Sequence, residues 1–198
     1  TVNACLAVGE KGRGLPAEPK TNVTDNGFRR MEMDEVKDKK KDVVNEIIEK
    51  IEGLSEEDRE RRQKAVEDRL FDFANFIEAK VALLYLRRRC EVDTMSIIKR
   101  SIKNGKKIIL PLVDREKSRT TLYKVENLKE DLRMGANDVL EPDPDRCKPV
   151  PPDQIDIAVV PGLAFDEKGG RLGIHDNFYD KFIARLPMTT RNSLALIR

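Results

Sequence analysis

The sequence predicts an α/β fold, a three-layer sandwich with a mostly parallel central sheet flanked by helices. Two observations carry this. Short apolar runs alternate with helical patterns after residue 80, and the glycine between one such helix and the next run marks a βαβ unit. A third observation sets the entry to the fold: two amphipathic, heavily charged segments precede the first apolar run.

The elements follow in order. Residues 1–30 hold four of the 11 glycines and two prolines without helical or strand periodicity, and are expected to be a disordered extension or a non-native segment. The domain is placed at 31–198. Val43, Val44, Ile47, Ile48 and Ile51 mark the apolar face of a first helix that Gly53 ends. Ser55 with Asp58 has capping-box spacing and opens a second helix, whose face is read as Val66, Leu70, Phe73 and Ile77. Lys80 to Leu86 reads as a buried strand. Asp93 or Thr94 caps a helix to about Asn104, and Asn104-Gly105 supplies a left-handed exit before the strand Lys107 to Leu110. Thr120 to Val125 is a further strand, Glu141 to Pro152 a surface connection, and Ile155 to Val160 another buried strand. Gly162 to His175 reads as a long loop, Phe178 to Arg185 as a helix, and Ser193 to Ile197 as a last strand. Ending on an apolar strand, the chain is expected to lack its C-terminal end.

Composition excludes several classes. Thirty-eight basic against 36 acidic residues give a net charge of +2, which supplies no global field for nucleic acid or an anionic membrane. An RNA-binding module is further disfavoured because no aromatic and basic recognition motif is present. No apolar run approaches the roughly 20 residues that span a bilayer, and the N-terminal residues lack a secretory signal pattern, so a cytoplasmic protein is expected. Cys5, Cys90 and Cys147 are odd in number and widely spaced, and His175 is the single histidine; neither a disulfide framework nor a zinc site is indicated.

The segment Asp156 to Asp180 carries the chemistry. A strand, a loop with Gly162, Gly169, Gly170 and Gly173, and a helix N-terminus follow one another, an order in which backbone N–H groups and the helix dipole can face a phosphate. The same order also describes an ordinary turn. The strings Pro161-Gly162-Leu163-Ala164-Phe165-Asp166, Arg171-Leu172-Gly173 and Phe178-Tyr179-Asp180 resemble the hallmark of the 5-formyltetrahydrofolate cyclo-ligase (5,10-methenyltetrahydrofolate synthetase) family. Glu91-Val92-Asp93-Thr94, Leu110-Pro111 and Glu141-Pro142 stand in the order that the family shows.

The resemblance implies an ATP-dependent cyclisation of 5-formyltetrahydrofolate, with or without a polyglutamate tail, to 5,10-methenyltetrahydrofolate through a phosphorylated formyl group, with Mg2+ accompanying the nucleotide. Glu91 and Tyr179 would be catalytic and, with Pro111, would bind substrate. Lys40, Arg171, Gly173 and Asp180 would hold ATP, with Asp180 also near the metal. A monomer is expected. Each residue also has a plain structural reading: Glu91 as an acid before a helix, Tyr179 as core, Arg171 as a solvated loop residue and Asp180 as a helix cap. The basic residues Arg87 to Arg89, Lys99, Arg100, Lys103, Lys106 and Lys107 would attract ATP or a polyglutamate tail, or else form a solvated face.

The sequence departs from the family pattern at Ile174 to Asn177, where two glycines and a frequent lysine are replaced, and at Val44, where the family carries an arginine. Asp176 adds negative charge where phosphates would lie. The alternative reading is therefore a non-catalytic folate-binding homologue with an impaired ATP site.

Overall fold

A computed structural model of the chain describes residues 40–88, 90–114, 119–135, 139–166, 170–173, 178–186 and 194–197. Residues 1–30, Gly169 and 174–177 lie outside them, as does Cys5. The first helix, α1, covers residues 40–52. Gly53 N–H bonds the Glu49 carbonyl at 2.9 Å and ends it. Helix α2 (Glu56–Phe71) starts on Ser55, whose hydroxyl accepts from Asp58 N–H at 3.1 Å, with Glu56, Glu57 and Asp58 facing the positive end of the dipole. Arg59 reaches back to the Ile51 and Glu52 carbonyls at 3.3 and 2.8 Å. One side chain thus satisfies the carbonyl end of α1 from the first turn of α2.

Val66 and Leu70 are buried as the periodicity predicts, but Phe73 and Ile77 are not part of that helix. The chain breaks at Asp72, Phe73 is extended, and the short α3 (Ala74–Glu78) turns Phe76 into the core while Ile77 stays 57% exposed. Phe76 meets the Phe71 ring edge-on at 5.3 Å. That contact depends on the break.

Strand β1 (Val81–Leu83) is followed by α4 (Met95–Lys103) and β2 (Lys107–Asp114), and β1 and β2 pair in parallel. The exit from α4 is a complete Schellman closure: Gly105 N–H bonds Ile102 O at 2.9 Å, Lys106 N–H bonds Ser101 O at 3.0 Å, and Gly105 has φ +79°. At the other end of α4, Asp93 Oδ1 accepts from Met95 N–H at 2.9 Å, whereas the buried Thr94 hydroxyl donates to the Tyr85 carbonyl. The two candidate caps therefore divide the work, one closing the helix and the other tying it to the segment that follows β1.

Strand β3 (Arg119–Val125) returns antiparallel to β2, β4 (Leu132–Met134) pairs with β5 (Leu140–Pro142), and β6 (Lys148–Pro149) joins the edge beside β3. The stretch Glu141 to Pro152 is thus more than a surface connection: Pro142 and Cys147 are buried, and Pro149 is accommodated because an edge strand can lack a ladder donor. Strand β7 (Ile157–Pro161) is buried at every position. The segment read as a loop from Gly162 contains a ribbon, β8 (Ala164–Phe165) with β9 (Arg171–Leu172), whose two-residue strands are too short to show periodicity. Helix α5 (Phe178–Arg185) and strand β10 (Leu194–Ile197) complete the described chain.

The main sheet runs β10-β7-β1-β2-β3-β6, with β10, β7, β1 and β2 parallel. Alternation along the strands separates two cores. Ala82, Leu84, Ile108, Leu110, Ile157 and Val159 pack with residues of α2, α3 and α4 on one face. Leu83, Ile109, Ala158 and Val160 pack with Phe182 of α5 and with Leu186 just after it on the other. The three-layer, mostly parallel sandwich is therefore what forms. Asp156 locks its start: one carboxylate oxygen accepts from Lys80 and Val81 N–H at 2.8 and 2.9 Å, aligning β7 with β1. Among the described residues no helix is long and apolar enough to cross a membrane. Among the described residues Cys90 and Cys147 form no disulfide.

Gly105 has open space around the position of a Cβ, so its role is conformational alone. Gly105→Ala is expected to lower stability by about 1 kcal/mol through left-handed strain. Urea denaturation checks this, and an unchanged midpoint would contradict the positive φ.

Candidate functional site

The parallel strands β1, β2 and β7 point their carboxyl ends at one edge of the sheet, the place where open α/β sheets bind ligands. Beyond β1 the chain passes through Tyr85 to a tight turn carrying Glu91. Glu91 N–H bonds the Arg88 carbonyl at 3.1 Å, and Arg88 N–H donates to Glu91 Oε2 at 2.9 Å. Cys90 adopts φ +64°, a conformation that costs roughly 1–2 kcal/mol for a residue with a Cβ. Such strain persists only where surrounding bonds over-determine it. Here Tyr85 Oη donates to the Val92 carbonyl at 3.2 Å, and Gln63 of α2 bonds both backbone groups of Asp93.

This turn forms one side of a cleft of about 1180 Å³. Ile47, Ile51 and Leu54 line it from α1 and the turn after it, and Met134, Val139 and Leu140 line it from the β4–β5 hairpin. Glu91, Arg62 and Arg88 bring charge to it, and Gly162 and Leu163 border it after β7. The size exceeds the roughly 300–1,000 Å³ typical of small-molecule sites, so an elongated ligand with an apolar body fits. Arg62 Nε is buried without a partner among the described residues, leaving a donor beside the cleft for a ligand.

A second group adjoins Glu91. Arg171 has a side chain only 7% exposed; its Nη1 donates to the Pro161 carbonyl at 3.0 Å and its Nε to Asp180 Oδ1 at 3.1 Å. Its guanidinium lies 5.4 Å from the centre of the Tyr179 ring. Gly173 leaves room for that guanidinium, since a Cβ there would come within 2.4 Å of Arg171 Nη1. Burial pushes the Glu91 carboxyl above its usual range, against the Arg88 N–H bond and the charges of Arg88 and Arg171. Burial and then the Glu91 charge push the Tyr179 phenol up, with Arg88 and Arg171 pulling the other way. Tyr85 is raised by burial and by the same carboxylate. Tyr85 and Tyr179 are thus protonated donors at neutral pH.

The structure brings Glu91, Tyr179, Arg171, Gly173 and Asp180 into one neighbourhood. Arg171 is an internal clasp between β7, β9 and α5 rather than a solvated loop residue. Of the candidate residues Glu91 alone lines the cleft; Tyr179, Arg171, Gly173 and Asp180 stand behind it, Pro111 stands in β2 opposite Leu122, and Lys40 is exposed at the first described turn of α1. Of the basic residues, Arg89 lies outside the described residues, and four of the others have separate partners. Arg87 and Arg88 border the cleft, Arg100 lies 3.9 Å from the Phe71 ring centre and 3.5 Å from Glu67, and Lys106 bonds the Ile77 and Ala79 carbonyls. Gln63 and Arg62 were not legible as site residues, because only chain crossing brings α2 to the Glu91 turn; Tyr85, six residues before Glu91, reads in the sequence as part of a buried strand. The sole signal in α2 was an uncharged polar residue in a run of charges.

Among the described residues no three His, Cys, Asp or Glu side chains cluster as a metal cage. Asp180, 45% exposed beside Arg171, suits the sparser requirement of Mg2+, which is commonly held by one or two carboxylates together with substrate phosphates.

A family model described as the 5-formyltetrahydrofolate cyclo-ligase family matches residues 36–198. The chain is similar to the 5-formyltetrahydrofolate cyclo-ligase of Escherichia coli (strain K12), 26% identical over 129 residues, covering 65% of this chain and 71% of that protein. It is also similar to the mitochondrial 5-formyltetrahydrofolate cyclo-ligase of Arabidopsis thaliana, 27% identical over 168 residues, covering 78% of this chain and 60% of that one. The solved structure of Aquifex aeolicus 5,10-methenyltetrahydrofolate synthetase superposes with a TM-score of 0.64 at 30% identity, covering 80% of this chain and 81% of that chain.

A buried carboxylate with a raised pKa has a consequence for stability. The folded state binds the Glu91 proton more tightly than the unfolded state, so this residue's contribution falls as pH rises from its ordinary value of about 4.3 through the higher folded one. Glu91→Gln, which keeps an oxygen for Arg88 N–H, is expected to raise the melting temperature at pH 7, with the gain vanishing below about pH 4. Thermal melts at the two pH values check the sign.

Proposed function

The chain belongs to the 5-formyltetrahydrofolate cyclo-ligase family, and from that premise we propose that it converts 5-formyltetrahydrofolate to 5,10-methenyltetrahydrofolate at the expense of ATP. The observation that carries the reading is the Glu91 turn, bonded on several sides at the mouth of an apolar cleft at the carboxyl end of the sheet.

The chemistry follows from a poor leaving group. The formyl oxygen on N5 takes the γ-phosphoryl group of ATP as ADP leaves, the N10 amine attacks the activated formyl carbon, and its proton and the phosphate leave to give the methenyl bridge. Mg2+, when bound with the nucleotide, neutralises phosphate charge and orients the phosphoryl group. Little covalent work is left to the protein, which supplies positioning and fixed charge. Ile47, Ile51, Leu54, Met134 and Leu140 take the apolar body of the folate. Glu91 orients the folate beside its formyl group and is the acceptor for an N–H of the reacting region. Tyr179, kept protonated, donates a hydrogen bond there. Arg171 stabilises developing negative charge through the space it shares with Tyr179, while Asp180 holds its guanidinium in place.

The second reading, a folate-binding homologue with an impaired ATP site, rests on Asp176, Asn177 and Val44. Incubation with 5-formyltetrahydrofolate and Mg-ATP, followed by near-ultraviolet absorbance of the methenyl product, separates the two. Product is expected, and Glu91→Gln should lower kcat/KM by about 10- to 100-fold, the loss of one charge-assisted bond. Folate binding without product at high protein concentration would leave the second reading standing; absence of both would sink each.

A further inference from the structure

Helix α2 is almost entirely charged outside its apolar positions. Gln63 is its one uncharged polar residue, and it stands three and seven positions before the buried Val66 and Leu70, on the face turned toward the rest of the molecule. Its amide reaches across 30 residues to Asp93, two positions beyond Glu91. Gln63 Oε1 accepts from Asp93 N–H at 3.0 Å, and Gln63 Nε2 donates to the Asp93 carbonyl. Satisfying the N–H and the C=O of one residue requires a side chain that accepts and donates at once. An amide does both; a carboxylate, an ammonium or a guanidinium does one.

We infer that Gln63 is a positioning residue that holds the Glu91 turn in its cleft-facing conformation. The turn cannot hold itself, because Cys90 sits in the left-handed region without being glycine. Its internal bonds run between Arg88 and Glu91 and between Tyr85 and Val92, all within the same stretch of chain. From other elements, the Cys90 thiol donates to Glu52 Oε1 of α1 at 3.8 Å, and Gln63 adds a paired backbone grip from α2 that refers the turn to the helical layer. The Asp93 carboxylate is thereby left to close α4 through Met95 N–H. The same residue thus couples three elements: α2 through its backbone groups, α4 through its side chain, and the Glu91 turn through the chain.

The inference rests on the cyclisation reading for its effect on substrate, and the test keeps the two apart. Gln63→Met retains length and shape and removes both bonds. Leu70→Val, in the same helix, serves as a purely structural comparison. Gln63→Met is expected to raise KM for 5-formyltetrahydrofolate about tenfold while KM for Mg-ATP stays unchanged, and to speed backbone hydrogen exchange in residues 90–94 of the ligand-free protein. Leu70→Val should lower the melting temperature without moving either KM. If the wild-type protein turns over 5-formyltetrahydrofolate and Gln63→Met leaves its KM unchanged, or raises both KM values alike, the inference is overturned and the cyclisation reading stands. If the wild-type protein neither binds nor converts this folate, the cyclisation reading falls and takes the substrate role of Gln63 with it. Unchanged exchange at residues 90–94 overturns the clamp itself in either case.

Discussion

Parallel pairing of β1 with β7 on one side and β2 on the other is the constraint from which the rest of this molecule follows. Parallel strands cannot be joined by tight turns; each return must travel the length of the sheet, and both faces must be covered. The crossover through α4 covers one face together with α2 and α3, and α5 covers the other. With all three carboxyl ends at one edge, the Glu91 turn after β1 and the Gly162 segment after β7 are brought together although about 70 residues separate them in sequence. The cleft is the space between those returns.

Within that frame, the site uses local strain and burial where the rest of the fold avoids both. Positive φ is met by glycine at the α4 exit and by cysteine beside Glu91. Carboxylates elsewhere serve as ordinary fasteners, such as Asp156 on the first N–H groups of β1 and Asp131 on Glu126 and Asn127 N–H. Glu91 differs because burial disfavours its charge while two arginines and one backbone N–H oppose that effect. A group so balanced is sensitive to whatever enters the cleft, which is the property that sites tend to share.

Arginine usage shows how position overrides residue type. Arg59 caps a helix, Arg100 stacks on Phe71, and Arg171 is a nearly buried clasp on Pro161 and Asp180. The guanidinium suits each task because its planar fork donates in several directions and its face stacks on rings. Basic residues counted together in the sequence find separate partners in the fold, and among the described arginines Arg59, Arg62, Arg87 and Arg88 border the cleft.

Local patterns in the sequence determined much of this protein. Ser55 spacing started α2, Asn104-Gly105 ended α4, and apolar runs declared β1 and β7 as buried strands and the first half of β2 as a strand, because caps, left-handed exits and hydrophobic periodicity act over a few residues. The motif residues Glu91, Arg171, Gly173, Tyr179 and Asp180 were likewise readable and do come together. Tertiary structure alone decided that α2 breaks before Phe73 so that Phe76 fills the core, that Arg171 is internal, and that the Glu141 to Pro152 stretch supplies edge strands. It alone decided that Gln63 grips Asp93. Those outcomes depend on contacts between residues tens of positions apart, whose free energy exists only after the sheet has closed and which leave no periodicity in the chain.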